Sequence, residues 1–315
     1  MTAGADVAPT GDWTGHYGAR GVLQVAEAAR RVAAGAAVVG VRCGDARALV
    51  TGSAPSVREL VPGAADAPLV AFAHGLEDSW ESWLPLAAHL RPDCRAVAFD
   101  LPWRPGNDYR WRRRPSAAWL GDDLDRLERR PDLLVAHSYG ANALLELLCA
   151  GYPGLPDRVV LICPLYRPPD VGITWRVFER ARSAFERHIY DSLRSRLGPR
   201  LAVLDPEVVD LMIAKAVDRI GPSGFLAVFD QFSSSATLAL SRIRAEVLVL
   251  AGGADPTLSP AAASTLVAGI AGARLTVDDD FDHFCYVRRP AEVAATLHAF
   301  TDTAFVLTPY AEGAA

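Results

Sequence analysis

The chain of 315 residues has one lysine, Lys215; the other 31 of its 32 basic residues are arginine. With a formal net charge of −5, it lacks the basic excess by which nucleic-acid-binding proteins neutralise phosphates. The arginine bias, together with abundant alanine, reads as GC-rich coding rather than function. Cysteine is sparse: Cys43, Cys94, Cys149, Cys163 and Cys285 are odd in number and scattered, with no C-x-x-C. That argues against a disulfide framework and a structural zinc site; Cys149 and Cys163, in apolar stretches, are expected to pack as small hydrophobes. The first residues, MTAGADVAPTGDW, lack the basic region and apolar core of a signal peptide. No apolar run reaches the length of a membrane span. Gly252-Gly253 does not belong to a G-x-G-x-x-G opening a helix, so no dinucleotide fingerprint exists. The expectation is a cytoplasmic protein with no nucleic-acid or membrane partner, no metal and no cofactor, either a monomer or a homodimer.

Half of the residues are hydrophobic. That suffices for one large α/β domain with an insertion, or for two small domains. A polar tail is expected over residues 1–17. Helical spacing follows over 22–34, then two β-like runs, 37–41 and 46–50, joined by Cys43-Gly44-Asp45 as a hairpin turn. Residues 53–68 read as loop with one short helix. A buried strand is predicted at 69–73, and further strands at 96–99, 133–136, 159–162, 246–250 and 274–277. Helices are predicted near 80–90, 119–127, 141–148, 260–270 and 290–300. Residues 166–242 carry no strand pattern, only helical runs near 174–197, 206–220 and 224–233. Alternating strands and helices imply an α/β fold: a mostly parallel central sheet with helices on both faces. The helical interruption implies an insertion that leaves the sheet and returns to it.

The densest signal is LLVAHSYGANALLELL, residues 133–148. An apolar run turns sharply at His137-Ser138-Tyr139-Gly140 and continues in helix formers. This strand-turn-helix unit places Ser138 at its apex. A weak alcohol nucleophile needs that exposure, with a base nearby and amide groups where negative charge develops. Small residues, Ala136 and Gly140, stand two before and two after Ser138. We read them as a steric need of a turn that presses these two positions together. A serine at a strand-helix junction is also a common helix N-cap, so other segments must supply the chemistry.

In an open parallel sheet, functional groups gather at the carboxyl ends of strands. Those ends carry His74-Gly75-Leu76, Asp100, Ser138, Asp255 and, one loop later, His283. The segments FAHGLEDSW, AFDLPW, VAHSYGAN, LVLAGGADP and FDHFCYVRRPAEV, in this order, resemble those of α/β-hydrolases, over residues 69–165 and 245–302.

The resemblance implies an α/β-hydrolase core in two parts, 1–165 and 243–315, with 166–242 as a helical cap. It implies Ser138 as nucleophile, His283 as general base and Asp255 as the acid that orients the imidazole. Oxyanion donors would be the backbone amides of Leu76 and Tyr139, and His74 and His137 would be structural. Asp255 precedes Pro256 and could merely open a turn; Asp282, beside His283, is an alternative partner.

Two segments depart from the family pattern. Glu77 and Asp78 follow the oxyanion loop and are expected to face solvent or cap the helix near Ser79. Trp103 and Arg104 follow Asp100-Leu101-Pro102 and lead into the arginine-rich segment 109–114. They, with Phe284, are candidate pocket residues; the other reading is a solvated loop with its tryptophans packed on the domain. Arg176, Arg180, Arg182 and Arg187 make the first cap helix basic; it reads as a solvated face with ion pairs to Glu179 and Glu186, the alternative being attraction of an acidic substrate or an acyl carrier. The apolar cap implies a medium-sized, largely apolar substrate, an ester or thioester, including a carrier-bound or CoA-linked acyl group. Acyl transfer, cyclisation or elimination with the same triad is the alternative. A non-catalytic small-molecule binder is a third reading.

Overall fold

The computed structural model describes residues 56–302. The expected N-terminal tail, the helix at 22–34 and the hairpin around Cys43 lie outside the described residues. Seven strands form one sheet: β1 (Val57–Val61), β2 (Leu69–Ala73), β3 (Arg95–Phe99), β4 (Leu133–His137), β5 (Arg158–Ile162), β6 (Glu246–Gly252) and β7 (Arg274–Asp278). Their order is β1-β3-β2-β4-β5-β6-β7; all neighbours are parallel except β1 and β3. The helices of nine or more residues are α1 (Ser116–Asp125), α2 (Ser138–Ala150), α3 (Trp175–Leu197), α4 (Pro206–Ser234), α5 (Pro260–Ala268) and α6 (Pro290–Asp302).

Every residue of LVAFA in β2 and LLVAH in β4 is buried, as expected of strands covered on both faces. One face packs beneath α1 and α2, with Phe99, Leu120, Leu134 and Leu144 in its core. The other packs Phe72 and Trp83 against Tyr286 and the α6 residues Leu297 and Phe300. Each such buried apolar side chain contributes roughly 1.5–3 kcal/mol.

Two expectations need correction. Between residues 56 and 68 a strand stands in place of the expected short helix: β1 lies there, antiparallel to β3 at the sheet edge, with loop after it. An edge strand tolerates charge, so Arg58 and Glu59 hid it from a search for apolar runs. The helix expected over 80–90 is shorter: a 3-10 turn, Trp80–Trp83, followed by the single helical turn Leu84–Ala87.

Between β5 and β6 the chain is helical, as expected. α4 is two helices joined at Gly221, whose φ is +54°, a left-handed conformation open to glycine, with Pro222 next. Those halves match the separate runs read at 206–220 and 224–233. Phe178 on α3 packs edge-on against Phe225 and Phe229 on α4, at centroid distances of 5.1 Å for both. No helix among the described residues is long and apolar enough to cross a membrane.

The strand order reverses between β2 and β4. Functional groups collect outside such a switch point, and the ends of these two strands carry His74-Gly75-Leu76 and Ser138.

Candidate active site

Ser138 is the first residue of α2 and has φ of +50°. A non-glycine residue held there stores roughly 1–3 kcal/mol of strain, a cost that persists where the surroundings enforce it. The steric reading of Gly140 changes in detail. A Cβ on Gly140 would lie 2.4 Å from the carbonyl oxygen of His74 and 2.9 Å from that of Ala73. The close approach is therefore to β2 rather than to Ala136. Gly75 is tight from the other side: its Cβ would sit 3.2 Å from the Ser138 Cβ. Glycines at both places let the loop after β2 reach the serine.

Asp255 ends the segment after β6, and His283 lies in the loop after β7. The His283 Nδ1 and Asp255 Oδ2 are 3.0 Å apart, and both residues are buried. With Nδ1–H donated to the carboxylate, Nε2 is left as the acceptor, the form a general base requires. His283 Nε2 is buried and has no hydrogen-bond partner among the described residues, so it is not bonded to Ser138 Oγ here. Burial alone raises the pKa of Asp255. The charge of His283 and hydrogen bonds from His283 and Thr257 outweigh it and hold the carboxyl well below the usual range.

Asp255 also opens a turn, while its other oxygen meets His283. Its Oδ1 accepts from the Thr257 amide and the Thr257 hydroxyl, each at 2.8 Å. The same hydroxyl lies 3.0 Å from His283 Nδ1. The sequence reading did not single out Thr257; an Asp two residues before a Thr, across a proline, is the Asx-turn signal that could have found it. Asp282, the alternative partner, is turned away. It pairs with Arg288 and accepts from the Phe284 amide.

The other histidines separate by their partners. His74 accepts from the Leu101 amide at Nε2 and so donates Nδ1–H to Gly75 O. Burial lowers its pKa and keeps it neutral. His137 donates Nε2–H to the carbonyl of His283 at 2.8 Å, which ties the nucleophile's strand to the base's loop. Burial pushes its pKa well down. α3 sets the ring of His188 against His283 at a centroid distance of 4.2 Å. Burial, then the neighbouring charge of His283, lowers its pKa to about 3. No local motif marks His188; only the docking of α3 brings it over the site.

Ser138, His283, His188 and Leu76 line one cavity of about 600 Å³. Phe185, Phe225, Phe229 and Phe232 supply apolar wall, so part of the cap's aromatic set faces the site. Tyr139 stands second in α2, where helix amides have no partner within the helix. Its side chain is buried against Trp103 and Trp111.

The three candidate pocket residues do not line this cavity. Trp103 is fully buried and donates its indole N–H to His74 O at 3.0 Å, supporting the loop from beneath. Arg104 pairs with Asp100 at 2.5 Å. Phe284 is buried against His188 and His137. The aromatic and charged character that suggested a pocket serves packing and loop closure. Arg112 likewise pairs with Asp230 on α4, and Arg114 with Asp122.

Glu77 and Asp78 do not face solvent: each is 3% exposed. Asp78 accepts from the Ser79 amide, the Ser82 hydroxyl and the Tyr286 hydroxyl; it bonds no amide within the turn Trp80–Trp83 and so does not cap it. Glu77, at φ of +55°, accepts from Asn107, Tyr109 and the α4 residue Arg219. Arg196 on α3 donates to its carbonyl at 3.4 Å. The carboxylates thus anchor the loop instead of opposing charge in the cavity.

One group of buried residues, Cys163, Asp255 and His283, offers metal-ligand atoms within 4.8 Å of one another among the described residues. Two of them are already joined by the hydrogen bond at 3.0 Å, which a cation would displace.

The model of the Alpha/beta hydrolase family matches residues 60–296. No curated protein matches the chain. Among solved structures, a hydrolase from Pseudomonas aeruginosa PA01 is similar, with TM-score 0.54 and 23% identity over 78% of this chain and 93% of that one. An enol-lactonase from Burkholderia xenovorans LB400 gives TM-score 0.53 and 20% identity over 78% and 96%. A lipase-esterase related protein from Clostridium acetobutylicum ATCC 824 gives 0.53 and 13% over 78% and 99%. At these identities the likeness concerns the fold.

Proposed function

The chain belongs to the Alpha/beta hydrolase family, and from that premise we propose that it is a serine hydrolase cleaving an ester or thioester of a medium-sized, largely apolar substrate. One observation carries the reading: the buried His283–Asp255 pair leaves an unpartnered Nε2 at a cavity that Ser138 also lines. Ser138 Oγ attacks the acyl carbonyl while His283 Nε2 takes the hydroxyl proton. Asp255 stabilises the resulting imidazolium and keeps the ring in register. The amides of Leu76 and Tyr139 hold the oxyanion. The tetrahedral intermediate collapses, the leaving group takes the proton from His283, and an acyl-enzyme remains. Water, deprotonated by His283, then releases the free acid. The helical block between β5 and β6 serves as the lid, and the cavity's volume suits a substrate of modest size.

Ser138→Ala should abolish ester turnover and leave the circular dichroism spectrum unchanged. A fluorophosphonate should label Ser138 in the folded native protein and not in the variant. Absence of labelling in the native protein would sink the proposal. The phenylalanine wall favours one variation, in which water is excluded and another nucleophile, or an internal elimination, resolves the intermediate. Mass spectrometry of the products decides: free acid and alcohol or thiol alone exclude it.

A further inference from the structure

One side of the cavity opens onto charged, solvent-exposed side chains of α3. Four charged residues line it, Arg176, Glu179, Arg180 and Arg187, all on α3. Glu179 is held by Arg182, which also binds Glu186. Arg176, Arg180 and Arg187 have no carboxylate partner among the described residues. This occurs in a chain with 37 acidic and 32 basic residues, where most arginines near the site are paired.

The three unpaired arginines form a row. At 3.6 residues per turn, Arg180 and Arg187 fall within roughly 40° of Arg176 around the helix. The row extends roughly 16 Å along α3 at the rise of an α-helix. Its inner end, Arg187, precedes His188, whose ring contacts His283. The neighbouring stripe, Val177, Ala181 and Ala184, is apolar and lines the same cavity. The arrangement is unfavourable to the helix itself: like charges at i and i+4, as in Arg176 and Arg180, repel. Arg176 also stands in a first turn that holds no acidic residue, where a cation opposes the helix dipole. An anion in the cavity relieves both effects.

Resting on the serine hydrolase reading, we propose that the substrate is amphiphilic: an ester or thioester with an apolar segment and a carboxylate or phosphate held by Arg176, Arg180 and Arg187, remote from the scissile carbonyl. The apolar segment lies along the Val177 stripe and the phenylalanine wall. The carbonyl meets Ser138 at one end and the anion meets the guanidinium row towards the other. The anion can belong to the acyl chain, as an ω-carboxylate, or to the leaving group, as the phosphates of a CoA thioester.

Two matched pairs of substrates test this and distinguish the sources. One pair is a p-nitrophenyl ester of a long acyl chain ending in carboxylate or in its methyl ester. The other is the same acyl group on CoA or on pantetheine, which lacks phosphate. The native protein should prefer the anionic member of at least one pair by about tenfold or more in kcat/KM, a margin of charge-assisted hydrogen bonding. The pair showing the preference identifies the source. The ratio should fall towards one as salt screens the row. It should fall likewise in Arg176→Gln/Arg180→Gln and in Arg187→Gln, while Arg130→Gln, whose partner Asp157 precedes β5 at the end of the sheet away from the cavity, retains it. No preference in either pair, or a preference unmoved by these variants, overturns the proposal. Calorimetric binding of the same compounds to Ser138→Ala protein separates it from the hydrolase reading. Anion preference there without turnover by native protein removes hydrolysis and leaves the row. Turnover of neutral esters without anion preference removes the row and leaves hydrolysis.

Discussion

The floor of the cavity takes Ser138 and His283, with Asp255 behind His283, from separate strand ends, whereas its roof takes Arg176, Arg180, Arg187 and His188 from α3. The floor is positioned by the backbone. Parallel pairing sets β2 beside β4 and β5 beside β6, and the glycine approaches at Gly75 and Gly140 leave little freedom. The roof is positioned by side chains. Its helices hold one another through Phe178, Phe225 and Phe229 and reach the core through polar contacts such as Arg112–Asp230 and Arg219–Glu77. A rigid floor fits chemistry that fails when groups shift by an ångström. A side-chain-docked roof fits the task of selecting what enters. Activity should therefore depend steeply on the floor, and specificity and lid docking on the roof.

The largest expected effect is at Asp255. Asp255→Asn keeps the shape but no longer favours the imidazole tautomer with Nε2 free to accept. Triads elsewhere lose on the order of 10⁴-fold in kcat from this change. The same loss is expected here, with KM little altered, in steady-state ester hydrolysis. A fall below about tenfold would remove Asp255 from the mechanism and erase the contrast between floor and roof.

The next effect is at the tie between the two. Glu77 is buried and accepts from Asn107, Tyr109 and Arg219, while Arg196 donates to its carbonyl. Glu77→Ala strands Tyr109 and Asn107, an expected loss of about 1–3 kcal/mol in urea unfolding. Arg219 is 40% exposed in its side chain, so its release to water softens the loss. Limited proteolysis should cut within residues 175–234 earlier than in native protein. Unchanged stability and cleavage would mean that the roof docks without Glu77.

The same contrast explains what the sequence revealed. The placing of Ser138, Asp255 and His283 was legible because they follow β4, β6 and β7, and the ends of parallel strands converge whatever their distance in sequence. The halves of α4 were legible from a glycine and a proline. β1 was not, because an edge strand with Arg58 and Glu59 lacks the apolar run that announces its neighbours. His188 and Thr257 were not, because their roles depend on which side of a helix or turn meets the site. Trp103, Arg104 and Phe284 misled for the same reason: residue type and proximity in sequence do not reveal which wall a side chain faces. Glu77 and Asp78 read as facing solvent or capping a helix because their partners, Tyr109, Arg219 and Tyr286, lie 32, 142 and 208 residues away.

The smallest effect at neutral pH, and the one specific to the roof, concerns His188. In the unfolded chain it titrates near its ordinary value of about 6.5; in the folded protein burial and His283 lower it to about 3. Its neutral form is therefore favoured by folding. No stability is lost above pH ~6.5, and stability falls as pH drops from there towards the folded value, because only the unfolded state takes the proton. His74 and His137, also lowered, act in the same direction from the floor. Asp255, held low, adds its loss only below the ordinary carboxylate range of about 3.9. His188→Gln removes one of these protons. Chemical unfolding between pH 6.5 and 4 should then show a slope of stability against pH smaller by about one proton, with little change at pH 7.5. An unchanged slope would mean that His188 titrates as freely in the folded protein as in the unfolded chain. The roof would then lie open above His283, and the cavity would lose the side chain that closes it over the base.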